Sequence, residues 1–237
     1  MKRKIPGKRA VTVMACACSI LLLGILVKDR ATTLAASSKP PESAASRFQE
    51  DEGEKKIALT FDDGPHPYYT EQLLDGLKDR GVVVTFFVTG EHAELHPDII
   101  ERMSEEGHLI GNHTYSHIQL TSSNRETFKE ELLATNELIQ EITGKEVLYV
   151  RPPYGIWDKG LEEELNMFPV LWNVDPVDWN CTNASRITKR VVSSVGENDI
   201  ILMHDYYATS VTAALAIVDQ LLEEGYVFVT VDEILFE

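Results

Sequence analysis

From residue 57 onward, short apolar runs alternate with longer stretches in which apolar residues recur every three or four positions. Runs rich in Val, Ile, Leu and Phe fit strands buried on both faces, and the periodic stretches fit amphipathic helices, so the alternation predicts a parallel α/β fold. Strands are expected at 57–61, 82–88, 108–111, 147–150, 169–174, 200–203 and 227–230. Helices are expected at 70–80, 97–106, 159–166, 184–195 and 210–224. The clearest helix spans 124–143, where Phe128, Leu132, Thr135, Ile139 and Ile142 share one face and Gly144 supplies the stop.

Polar and ionisable residues gather just past five of the strand ends: Asp62 and Asp63, Asn112 and His113, Arg151, Asp175 and Asp178, and His204 and Asp205. In a closed parallel β/α barrel the loops at the strand C-termini converge on one face, where side chains from several strands meet. About 180 residues with seven strands point to a small or incomplete (β/α) barrel. A doubly wound open sheet is the alternative, and it too places ligands at the strand C-termini.

The N-terminus follows another pattern. Lys2, Arg3, Lys4, Lys8 and Arg9 precede an uncharged apolar run over residues 10–27. As a helix at ~1.5 Å per residue this run spans about 27 Å, close to the thickness of a bilayer core, and its basic flank belongs on the cytoplasmic side. Residues 1–30 are therefore expected to be a signal peptide or membrane anchor, with retention as an anchor ahead of cleavage near Leu34, Ala35 and Ala36. Val13 to Cys16 resembles a lipoprotein cleavage site only weakly, because most of the apolar run follows the cysteine. Residues 31–55, rich in Ala, Ser, Thr, Pro and Glu, read as a linker, leaving 56–237 as one folded domain.

Composition narrows the function. Residues 56–237 hold 12 basic and 32 acidic side chains, a balance of −20, which excludes a nucleic-acid partner because that needs a basic face. Cys16 and Cys18 lie in the apolar run, so Cys181 stands alone in the domain and a disulfide scaffold is excluded. With its basic flank inside, a chain of this kind is expected at the extracellular face of a bacterial cytoplasmic membrane, or secreted to the cell wall, as a monomer.

His113 and His117 stand four apart, so on a helical turn both imidazoles reach one cation. The bland alternative is a pair of ordinary surface or core histidines. Asp62 and Asp63 follow a buried strand and precede Gly64 and Pro65; they are either turn-capping residues or a pair in which one carboxylate binds metal and the other faces substrate. One hard oxygen and two imidazoles with vacant positions suit an open site, with zinc as the first choice. Arg151 opens a loop stiffened by Pro152 and Pro153, Trp179 follows Asp178 as a site residue or a core plug, and His204 emerges from a buried strand at the same end of the fold.

Thr60-Phe61-Asp62-Asp63-Gly64-Pro65, His113-Thr114-Tyr115-Ser116-His117, Arg151-Pro152-Pro153-Tyr154-Gly155, Asp175-Pro176-Val177-Asp178-Trp179 and Leu202-Met203-His204 together resemble the five ordered motifs of the polysaccharide deacetylases, carbohydrate esterase family four with its NodB homology domain. The resemblance covers residues 57–237. It implies a distorted (β/α) barrel, a divalent metal, usually zinc with cobalt as the alternative, and hydrolysis of N-acetyl groups on β-1,4-linked N-acetylhexosamine polymers. Carried onto this sequence, it makes Asp63, His113 and His117 the metal ligands, Asp62 the general base and His204 the general acid. Asp178 then supports His204, Arg151 orients Asp62, and the Tyr154 N–H holds the oxyanion. Tyr154, Trp179 and Leu202 contact substrate, the latter two walling an acetyl pocket. Peptidoglycan is the leading substrate and chitin oligosaccharides the second. A metal-dependent peptidase of the wall and a non-catalytic wall-binding module are the competing classes.

Overall fold

The protein is described by a computed structural model over residues 53–236. The apolar run at 10–27 and nearly all of the expected linker lie outside the described residues. No helix among the described residues is long and apolar enough to cross a membrane.

All pairing in the sheet is parallel, and β1 (Lys55–Asp62) lies at its centre. It is flanked by β2 (Thr85–Val88), β3 (Leu109–Asn112), β4 (Tyr149–Val150) and β5 (Phe168–Pro169) on one side and β6 (Ile200–His204) on the other. The first residues of β1 pair with β7 (Tyr226–Phe228). Past β5 the chain reaches the other end of the sheet: the Leu202 N–H donates to the Val174 carbonyl at 2.9 Å, and the Val174 N–H donates to the Ile200 carbonyl at 3.2 Å. That bridge curls the sheet into a distorted barrel, as the strand pattern predicts, rather than an open doubly wound sheet.

The period of two along β1 sorts its residues between layers. Ile57, Leu59 and Phe61 pack in the main core with Leu73, Leu74 and Leu77 of α1 (Tyr69–Arg80) and with Ile217, Val218 and Leu221 of α7 (Ala208–Glu223). Ala58 instead joins Phe87, Val170, Ile200 and Val231 in a separate cluster, so the even-numbered positions, which include Thr60 and Asp62, face the other way. Each large apolar side chain buried in this way contributes about 1.5–3 kcal/mol.

The long helix α4 (Arg125–Thr143) buries Phe128, Leu132, Thr135 and Ile139, as its periodicity predicts, and ends at Gly144 with φ of 70°, where the Gly144 N–H donates to the Gln140 carbonyl. The remaining helices are α2 (Gly90–Leu95), α3 (Pro97–Glu105), α5 (Lys159–Leu165), α6 (Ala184–Val192) and α8 (Val231–Leu235). Helices α2 and α8 are not apparent from the sequence: each is too short for an apolar repeat. Strand boundaries also differ. The expected start at Val82 moves to Thr85, because the Val82 N–H donates to the Leu77 carbonyl at the end of α1 and the Val84 N–H donates to His108. The expected strand at 169–174 shortens to Phe168–Pro169 because the chain then crosses to β6.

His108, just ahead of β3, is buried, and its Nδ1 accepts the Val84 N–H at 3.2 Å. Burial pushes its pKa down from 6.5 to about 4, against the opposing charge of Glu106. Between those values the unfolded chain holds a proton that the folded chain does not, so this contribution is present above 6.5 and declines as pH falls toward 4. Urea titrations should therefore show the unsubstituted protein losing about 2 kcal/mol more than His108→Gln between about pH 7.5 and about pH 5. Equal losses would contradict this account.

Candidate active site

The expected site residues converge on the rim formed by the strand C-termini. Asp62 ends β1 in register with His204, which ends β6, and the His113 N–H donates to the Val88 carbonyl at the end of β2. Arg151 follows β4, and Asp178 starts a short 3₁₀ turn after β5.

Asp63, His113 and His117 bring three ligand atoms within 4.8 Å of one another. Oδ1 of Asp63 is 3.4 Å from Nε2 of His113 and 3.4 Å from Nε2 of His117. The histidines do not meet on a helical turn: residues 113–117 form a loop in which Thr114 and His117 take φ of 63° and 58°. Nor do the two aspartates diverge as alternating strand residues would. Asp63 sits at φ of 76°, and that left-handed turn brings its carboxylate to the same His113 nitrogen that Asp62 approaches at 3.8 Å.

The donor set fits a divalent metal. Nδ1–H of the buried His113 donates to the Arg151 carbonyl at 2.6 Å, which turns Nε2 toward Asp63, where a metal ion would take the place of its proton. Burial pushes the Asp63 carboxyl up, but the hydrogen bond and charge of His113, with the charges of His204 and His117, hold it at about 2. One ionised oxygen and two imidazole nitrogens make a three-ligand open site.

Asp62 is held from beneath. Nη1 of the fully buried Arg151 donates to Asp62 Oδ1 at 2.9 Å and to Thr60 Oγ1 at 2.5 Å, while Nε donates to the Val170 carbonyl at 3.1 Å. Its guanidinium lies 4.2 Å from the Phe87 ring centroid. Burial pushes the Arg151 pKa down and Asp62 opposes it. This is a charge-assisted contact with little freedom to rotate.

On the opposite wall, the buried Asp178 holds His204 twice: Oδ2 accepts the His204 N–H at 2.9 Å, and Oδ1 pairs with the ring Nδ1 at 2.8 Å. Burial disfavours the imidazolium, but the hydrogen bond and charge of Asp178, followed by Asp62 and Asp63, outweigh it and raise the pKa to about 9. His204 is therefore cationic at neutral pH, with Nε2 3.9 Å from Asp63 Oδ2.

Between these walls lies a cavity of about 340 Å³ whose lining includes both aspartates, His204, Tyr154, Trp179 and Leu202. Leu202 is buried in its floor, while Tyr154 and Trp179 are exposed at its edge. Tyr154 takes φ of 61°, in a 3₁₀ turn (Pro153–Gly155) that the two prolines enter. All of the expected site residues are thus brought to this one rim.

Trp172, Tyr207 and His92 carry no local sequence signal. Trp172 and Tyr207 also line the cavity. His92 on α2 donates from Nδ1 to the Asp63 carbonyl at 2.7 Å and so ties down the turn that carries a ligand. The fully buried Asp205 accepts the Thr70 hydroxyl at 2.5 Å, and a Cβ at residue 64 would fall 2.3 Å from its Oδ2, so the turn after Asp63 has room only for glycine.

The sequence model of the family described as polysaccharide deacetylase matches residues 49–170. The chain is 41% identical over 184 residues to the peptidoglycan-N-acetylmuramic acid deacetylase PdaC of Bacillus subtilis (strain 168), a match covering 78% of this chain and 39% of that protein. It is 39% identical over 196 residues to a peptidoglycan-N-acetylglucosamine deacetylase of Bacillus cereus, covering 80% of this chain and 71% of the relative. The solved structure of PdaC from Bacillus subtilis aligns with a TM-score of 0.74 at 41% identity, over 76% of this chain and 90% of that one. The chain spans about two fifths of the length of PdaC.

Proposed function

The chain belongs to the polysaccharide deacetylase family, and from that premise we propose that it hydrolyses N-acetyl groups from N-acetylglucosamine units of an extracytoplasmic glycan, with peptidoglycan as the leading substrate. The observation that carries this reading is the pairing, across one cavity, of an arginine-held carboxylate with an aspartate-held imidazolium on either side of an Asp-His-His triad. A peptidase would need no such five-motif arrangement, and a wall-binding module would need neither Asp62 nor His204. The relatives named for peptidoglycan favour the wall polymer over chitin oligosaccharides, and with the basic, apolar N-terminus they favour an enzyme acting outside the cytoplasm, anchored or secreted.

Asp63, His113 and His117 would hold the divalent ion, which we take to be zinc. When bound, such an ion polarises an amide oxygen and lowers the pKa of water from ~15.7 toward ~7. Asp62 accepts the proton of the attacking water, and Arg151 keeps it oriented. The Tyr154 N–H, presented by the proline-stiffened turn, donates to the oxyanion as it develops. His204 then gives its Nε2 proton to the departing nitrogen as the carbon–nitrogen bond breaks, yielding acetate and a free amine. Asp178 keeps the imidazole charged and its Nε2 directed into the cavity. Leu202 and Trp179 wall the space for the acetyl methyl.

Acetate release from peptidoglycan and from chitooligosaccharides by the zinc-loaded protein tests this reading. Release should stop on treatment with a chelator and return with zinc or cobalt. Liberation of peptide fragments in place of acetate would reassign the protein to the peptidases.

A further inference from the structure

The two histidines of the triad are held in different ways. His113 is buried with its Nδ1–H committed to the Arg151 carbonyl, whereas the His117 side chain is 35% exposed and its Nδ1 has no hydrogen-bond partner among the described residues. The His117 ring rests against those of His113 and Tyr154, with centroids 4.9 and 5.2 Å away. No bond to the ring fixes it, so the backbone that carries His117 sets where its Nε2 points. We propose that Glu131 of α4 is a positioning residue for the metal, holding the loop ahead of His117 so that this imidazole reaches the ion together with Asp63 and His113. The inference rests on the proposed metal-dependent deacetylase activity and adds to it a residue outside all five motifs.

The backbone of residues 114–116 is clamped between two helices. The Thr114 N–H donates to Asn112 Oδ1 at 2.7 Å, and the Thr114 and Tyr115 carbonyls accept the Gly90 and Glu91 N–H groups of α2, each at 3.0 Å. The N–H groups of Tyr115 and Ser116 remain, and both go to Glu131. Its Oε2 accepts them at 3.2 and 2.9 Å, while Oε1 accepts the Ser116 hydroxyl at 2.6 Å. One carboxylate thus holds two consecutive N–H groups directly ahead of the ligand, and among the described residues no other acceptor takes either of them. The segment needs such a hold: Thr114 and His117 occupy the left-handed region at φ of 63° and 58°, which side chains with a Cβ adopt only where their surroundings impose it. Glu131 projects from a fixed support, because Phe128, Leu132 and Thr135 on the same helix are buried.

Zinc affinity of the full chain, measured by competition with a fluorescent chelator, tests this without turnover. Glu131→Ala should weaken zinc binding by about 10-fold or more, the range seen when a partner that orients a metal ligand is lost. Glu131→Asp keeps the charge but withdraws the carboxylate by one methylene, and should lose affinity as the alanine variant does. Glu131→Gln should retain most of it, because its amide oxygen can accept both N–H groups and its NH₂ can donate to the Ser116 hydroxyl. Acetate release by Glu131→Ala should be low at limiting zinc and recover as zinc is raised, with the KM for glycan unchanged. Unchanged zinc affinity in Glu131→Ala would overturn the positioning role. So would equal losses in the Ala and Gln variants with retention in Glu131→Asp, which would assign the effect to charge. Glu131-dependent zinc binding by a protein that releases no acetate from any glycan would instead sink the deacetylase reading and leave the positioning role standing.

Discussion

Replacing His113 with alanine is expected to remove the metal and the acetate-releasing activity together. His113 is 3% exposed, its Nδ1–H is committed to the Arg151 carbonyl, and its Nε2 faces Asp63, so the substitution leaves a buried gap in the ligand set that solvent fills poorly. Losing one of three protein ligands and its oriented nitrogen should bring metal content, measured by atomic emission after dialysis, close to zero. Asp62→Asn should behave differently. Asparagine keeps the shape and can still accept from Arg151, but it cannot take up the proton of an attacking water, so activity should fall by ~10²–10⁴-fold while metal stays bound. Loss of metal in Asp62→Asn, with retention in Asp63→Asn, would exchange the roles proposed for the two aspartates.

Much of the fold was legible because the relevant signals are local. The burial of Phe128, Leu132, Thr135 and Ile139 on α4 follows from their spacing, and the polar residues past β1, β3, β4, β5 and β6 gather on one rim because parallel strands place their C-termini together. What the sequence did not reveal depends on backbone twists and on partners distant along the chain. The His113–His117 spacing suggests a helical turn, but two left-handed residues in a loop bring the imidazoles together instead. Thr60 reads as one more strand residue, yet the period of two turns it inward to accept from Arg151, 91 positions away. His92 sits on a six-residue helix with no apolar repeat, and only the folded chain places it against the Asp63 carbonyl. The meeting of Tyr206 with His92 has the same origin: one follows β6 and the other β2, and the two strands flank β1 in the folded sheet.

The work proposed for His204 can be separated from a structural role by varying the leaving group. A general acid contributes ~10²–10⁴-fold when a strongly basic amine must depart, and far less when the leaving group departs unaided. His204→Ala should therefore nearly abolish deacetylation of an N-acetylated sugar while hydrolysing an activated aryl acetate at a comparable rate, with metal content unchanged. The contact with Asp178 adds a second dimension. His204 is raised to about 9 by the Asp178 hydrogen bond and charge acting against burial, and an acid works only while it is protonated, so amide hydrolysis should decline as pH rises through that value. Asp178→Asn removes the negative charge that favours the imidazolium, so the alkaline limb should move to lower pH for the amide and stay in place for the aryl ester. Equal losses on both substrates in His204→Ala, together with a lower melting temperature, would assign His204 to packing at the end of β6 and leave the departing amine to be protonated by another group.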